Sequence, residues 1–135
     1  GGSGAGHPGP SSPYRVTKTS LIVKMSLRAD LNGEYVQLGD KINSHVAFQK
    51  AVPSPKGDIY IFYHLKGRLG WSFGYDPASK EEPLAFLGAT MAGDPCTKSY
   101  GQDWRVWWES KIAGGSFYAA SSAMSLQKSH KIGTV

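Results

Sequence analysis

A single cysteine, Cys96, is the only thiol in 135 residues, so no internal disulfide can form. It stands in "GDPC", with no second Cys and no His at metal-ligand spacing. Such usage suits a reducing compartment, and an intracellular, cytoplasmic protein is the expectation. No stretch approaches the about eighteen apolar residues that a membrane helix needs, and the N-terminus lacks the charged-then-apolar order of a secretory signal. Chemistry is sparse too. The Gly-rich start "GGSGAG" has no strand before it and no Lys-Ser/Thr after it, so it is no phosphate loop. No "GxSxG" elbow occurs, and the acids are scattered apart from Glu81-Glu82 in a polar loop. Of the four histidines, His7 and His130 fall in the end segments, His45 borders a strand, and His64 lies on one, where a half-buried structural role is ordinary. The expectation is a protein that is not an enzyme and carries no cofactor or metal.

What the chain does have is aromatic and apolar residues, 12% and 40% of the total, enough for one domain with a sizeable core. Residues 1–13, "GGSGAGHPGPSSP", cannot bury enough apolar area to offset their ordering entropy; they read as a flexible lead-in of the kind an expression linker leaves. Residues 14–128 form the domain, and 129–135 a poorly patterned tail. Within the domain, turn signals recur and helical periodicity is weak. "VTKTSLIVKM", "EYVQL" after Asn32-Gly33, and "HVAFQK" read as strands. "DIYIFYHLK" is apolar on both faces, Ile59, Ile61 and Tyr63 against Tyr60 and Phe62, the mark of a strand in the middle of its sheet. It turns through "GRLG" into "WSFGY", so residues 58–75 form a hairpin. "LAFLGAT" is a short buried strand, and "SFYAASSAMSLQK" a strand followed by a short helix. The fold class is mainly β: a single antiparallel sheet, barrel-like or sandwiched, of about six to eight short strands with room for one short helix.

"QDWRVWWES" holds Trp104, Trp107 and Trp108, three of the chain's four tryptophans. Their spacing fits one helical face or two strand faces. Glycine flanks, a span too short for a well-formed helix and the β preference of tryptophan and valine favour the strand. Trp104 and Trp108 then face the core, and Trp107 stands on the opposite side between Arg105 and Glu109.

Net charge is +5, unevenly spread. Residues 14–28 carry Arg15, Lys18, Lys24 and Arg28 with no acid, and residues 110–135 carry Lys111, Lys128 and Lys131 with none. If the two ends meet, Lys18, Lys24, Arg28, Lys128 and Lys131 make one basic patch for an anionic partner.

The ordered set "NGEY", "IN", "VAFQK", "IYIFYH", "GRLGWSFG" and "WRVW" resembles a small aromatic-rich β module of repeats in microbial eukaryote proteins, over Leu31 to about Glu109. The resemblance implies a β module and brings no activity or site residues. No second copy of the pattern occurs in the chain.

Aromatics without chemistry point first to an interaction module that binds a protein partner, with Trp107, Arg105, Trp71, Tyr63 and His64 as the candidate face. A second possibility is nucleic acid or another acidic polymer, held by the basic patch and stacked on aromatics. A third is a carbohydrate or small ligand in a groove containing Trp107, with Arg105, Glu109 and Gln102 beside it.

Overall fold

A computed structural model describes residues 15–64, 70–78, 82–88, 95–96, 103–110, 112 and 114–130. Nine strands form one antiparallel sheet: β1 (Val16–Lys24), β2 (Gly33–Leu38), β3 (Phe48–Lys50), β4 (Tyr60–His64), β5 (Gly70–Gly74), β6 (Ala85–Gly88), β7 (Trp104–Ser110), β8 (Gly115–Ser121) and β9 (Ser125–His130). Their order is β8-β7-β6-β5-β4-β3-β2-β1-β9. The two edge strands are consecutive in sequence, separated only by Ser122, Ala123 and Met124. That connection spans at most about 14 Å, so the two edges must meet there. The sheet is therefore curled into a half-barrel, not stacked as a sandwich. β8 and β9 behave as one broken strand: the first half pairs with β7, from Trp104↔Ser121 to Ser110↔Gly115, and the second with β1, from Thr19↔His130 to Lys24↔Ser125. Such a stagger is what curvature into a barrel demands.

Alternation along the strands decides what faces inward. Leu21, Val23, Tyr35, Phe48, Ile61, Trp71, Phe73, Leu87, Trp104, Val106 and Leu126 fill the concave side. Edge-to-face rings bind its strands together, Tyr35 to Phe73 at 5.5 Å and Phe73 to Trp104 at 5.1 Å between centroids. A smaller cluster of Leu38, Ala47, Tyr60 and Phe62 lies on the convex side, with Ile42 packed against it. β4 contributes to both clusters and has four strands on each side of it. Two-sided burial at the middle of the sheet is what its pattern implied. Phe62 lies over Gly74, where an added Cβ would come within 3.3 Å of the ring, so a larger residue there would displace it.

Turns supply the reversals. Asn43 and Ser44, both at positive φ (54° and 65°), close the two-residue reversal between Ile42 and His45. Ser54 to Gly57 makes another, in which Gly57 sits at φ 127°, a conformation open to glycine. Between β1 and β2 a single 3-10 turn, Ala29–Leu31, places the Leu31 carbonyl to accept a hydrogen bond from the buried Tyr35 hydroxyl at 2.7 Å. The phenol lies above its usual pKa range because burial disfavours its anion, with the charge of Asp30 adding to the effect.

Several expectations need correction. The described residues hold nine strands, not six to eight, because "SFYAASSAMSLQK" is two strands and no helix. Its alanines favour helix on their own, and the ladders that β7 and β1 offer override that preference. The same pairing carries the sheet to His130, two residues past the expected boundary, with Ser129 opposite Ser20. Among the described residues, the only helical element is the 3-10 turn, and no helix is long and apolar enough to cross a membrane.

Candidate functional site

The strand reading of "WRVWWES" holds, and it sorts the tryptophans differently from the expectation. Trp104 is buried at the start of β7, whereas Trp108 is 39% exposed. The cause lies in the neighbouring strand. β6 pairs with β7 at Ala85↔Val106 and Phe86↔Arg105, and the last bond between these segments runs from the Trp107 amide to the Leu84 carbonyl at 2.8 Å. Past that point β7 continues with β8 as a two-stranded hairpin that outruns the core. Trp108 faces the core side in register but has no core left to face. Its cross-strand partner, Phe117, is 45% exposed, and Ile112 in the connection is fully exposed. Among the described residues, three of the seven exposed large apolar side chains thus lie on this one hairpin.

Trp107, on the convex side, is half-buried. Tyr118 covers it from β8, with ring centroids 4.8 Å apart, and the same tyrosine meets Phe86 at 4.8 Å. The Tyr118 hydroxyl donates to the Pro83 carbonyl at 2.7 Å, with the Glu82 carboxylate 3.3 Å away. Phe86, Trp107 and Tyr118 thus form a fixed aromatic ridge. Arg105 and Glu109 flank it, both exposed, with Ala120 and Ser116 opposite them on β8.

The five face residues expected from sequence do not form one site. Trp107 and Arg105 share the convex face of β7, and His64 lies on the convex face of β4 beside Phe62, 5.8 Å between rings. Trp71 is fully buried, under Tyr63 and His45. It cannot touch a partner, because its strand is covered on the concave side. Tyr63 is half-buried and stacks flat on His45, 3.9 Å apart and 8° from parallel, while the His45 Nδ1 lies 2.8 Å from the Asn43 carbonyl. Those contacts hold the Asn43–Ser44 reversal against the barrel. Trp108, Phe117, Tyr118 and Phe86 were missed: no local pattern says where β6 stops supporting β7.

A cleft of about 450 Å³ opens beside the hairpin, lined by Arg28, Lys56, Tyr75, Leu84, Trp107, Trp108 and Glu109. Arg28 there is held by a two-pronged contact to Asp30, 3.1 Å from Nε to Oδ1 and 2.7 Å between Nη2 and Oδ2. Burial works against its charge, but the hydrogen bond and charge of Asp30 outweigh that and raise its pKa. Gln102, expected beside this groove, lies outside the described residues.

Both basic ends do meet, since β1 pairs with β9. They do not make one patch. Lys128 is opposite Leu21, on the side of the core-facing residues, whereas Lys24 alternates onto the other side and Lys18 falls in the stretch where β1 shifts register against β2. Arg28 is neutralised by Asp30, and Lys131 lies outside the described residues. Among the described residues no three His, Cys, Asp or Glu side chains converge as metal ligands do. Cys96 packs against the core beside the β8–β9 bend, near Trp104, Met124 and Leu126.

No protein-family model, curated protein or solved structure matches this chain.

Proposed function

We propose that the protein is a non-catalytic interaction module that binds a protein partner through the β7–β8 hairpin. The observation that carries this reading is the cross-strand pair Trp108 and Phe117, 39% and 45% exposed on a hairpin that outruns the barrel's core. Aromatic side chains bury large areas at little entropic loss, which makes them the usual anchors of protein interfaces. The fixed ridge behind them, Phe86, Trp107 and Tyr118, keeps the hairpin rigid enough for a defined face. Arg105 and Glu109 flank that ridge on the convex side of the hairpin, behind the exposed pair.

The test is a photo-crosslinking amino acid placed at position 117, compared with the same group at Val16, which is 54% exposed at the start of β1 and lines no part of the cleft beside the hairpin. A discrete protein adduct from position 117 and none from position 16 supports the reading. Equal or absent labelling at both positions removes it.

The cleft favours a second reading, carbohydrate binding. Trp107, Trp108 and Tyr75 offer rings for apolar sugar faces, with Glu109, Lys56 and Arg28 to hold hydroxyl groups. Tryptophan emission that stays unchanged across a broad glycan panel would dispose of it.

A further inference from the structure

We infer that the protein partner meets this face as an extended segment, added to the edge of β7 that β6 leaves open, with its backbone paired to Glu109 and one apolar side chain set beside Trp108. This rests on the hairpin being the binding face. In an antiparallel ladder each residue turns its N–H and C=O toward the same neighbour, and successive residues alternate between the two neighbours. The Trp107 amide bonds Leu84 on the β6 side, and the register of β7 with β8 runs unbroken from Trp104 to Ser110. Glu109, two residues on, therefore also turns its backbone groups away from β8. The sequence before β6 explains why nothing from that strand meets them. Leu84 gives its own N–H to the Phe73 carbonyl at 2.7 Å, and Pro83 has no N–H to give. The Pro83 carbonyl is taken by the Tyr118 hydroxyl, which draws this part of the chain toward the convex side. Among the described residues, the Glu109 amide and carbonyl have no partner on the β6 side.

A donor and an acceptor on one residue, aimed the same way, are met together by a second extended backbone. A helical partner has its own backbone groups already bonded, so it cannot supply them. The two faces of β7 then set the chemistry of the segment. Its residue opposite Glu109 lies on the convex face, in the row that Glu109 forms with Ser116, where a lysine or arginine is the matching partner. The adjoining residue falls beside Trp108 on the other face. It enters the cleft of about 450 Å³ against Leu84 and Tyr75, where an aromatic or large aliphatic side chain covers the exposed part of the Trp108 ring. The segment therefore carries a basic residue next to a large apolar one. The basic residue comes first if the segment runs antiparallel to β7 and second if it runs parallel.

The probe is the capped peptide acetyl-Thr-Val-Lys-Phe-Thr-Val-amide, with a second peptide in which Lys and Phe change places, each titrated into the isotope-labelled full chain and followed by NMR. One of the two should bind in about the millimolar range, moving the Glu109 amide signal downfield and shifting the Trp108 indole signal with it. N-methylation along the bound peptide should alternate in effect, one position weakening binding roughly tenfold and the next leaving it unchanged, because successive amides of a strand point to opposite sides. Glu109→Lys, at an exposed position, should weaken binding roughly threefold, and a peptide with Glu in place of Lys should recover it. A Glu109 amide signal that stays in place for both peptides at about 10 mM, or N-methylation that weakens every position alike, overturns the inference. Crosslinking reports on the wider reading separately: a discrete adduct from position 117 with no shift at Glu109 keeps the hairpin as binding face and removes only strand addition.

Discussion

Replacing Tyr35 by phenylalanine isolates one hydroxyl at the centre of the core. The side chain is fully buried, and its hydroxyl donates to the carbonyl of Leu31, also fully buried, at 2.7 Å. Phenylalanine keeps the ring and its edge-to-face contact with Phe73, but leaves that carbonyl without its donor. Leaving a buried acceptor unpaired costs about 1–3 kcal/mol, part of which the more apolar ring offsets, so a net loss of about 1 kcal/mol is expected at pH 7. Alkaline pH changes the balance. Because the folded phenol is raised above its ordinary pKa, the folded state keeps its proton where the unfolded state gives it up. The contribution of Tyr35 is complete below about pH 10 and declines above it by about 1.4 kcal/mol per pH unit. Tyr35→Phe lacks this dependence. In urea titrations the wild type should therefore be the more stable at pH 7, the gap should shrink above pH 10, and the order should reverse near pH 11. Other tyrosines and lysines titrate in both proteins and cancel in the difference. A gap that stays constant from pH 8 to pH 11, or a variant more stable at pH 7, would refute the reasoning.

Other substitutions probe other parts of the fold. Gly57→Ala forces a side chain onto φ 127° and should cost about 1–3 kcal/mol in chemical denaturation, although nothing crowds the site. Gly74→Val should cost about 1–3 kcal/mol for a different reason, since its added methyls meet the Phe62 ring that a Cβ alone would approach to 3.3 Å. Ser72→Ala should be neutral or stabilising by up to about 1 kcal/mol, because the buried Ser72 hydroxyl has no hydrogen-bond partner among the described residues; a clear loss of stability would show a partner for it. Phe117→Ser should leave the melting temperature within about 2 °C of wild type while abolishing the adduct formed from a photo-crosslinking residue placed at the exposed position 116 beside it.

Much of the fold was legible because strands announce themselves by alternation. The two-sided apolar run around Ile59–Tyr63 placed β4 in the middle, and "GRLGWSFG" announced the hairpin with β5. The tryptophan cluster was readable as a strand for the same reason. What could not be read was where that strand outruns its support. Trp104 and Trp108 have the same parity, and only the last bond to Leu84 separates core from surface. That bond joins residues more than twenty apart in sequence, and no local propensity encodes it. The split of the last segment into β8 and β9 was hidden likewise, because it follows from curling, which brings β1 and β7 to the two halves of one run. Trp71 misled for a simpler reason: its strand sets Trp71 and Phe73 on one face against Gly70, Ser72 and Gly74 on the other, and the one-sided pattern marks the face that the core closes.

The hairpin can be a binding face only if Trp108 is the tryptophan that meets water. Iodide quenching of tryptophan emission in the wild type and in Trp108→Phe decides this directly, at a concentration where the chain is dilute. The prediction is one accessible class in the wild type, lost in Trp108→Phe with thermal stability preserved. Quenching that survives the substitution, or a wild type that iodide does not quench, would contradict the placement of Trp108 on an open hairpin and with it the proposed face.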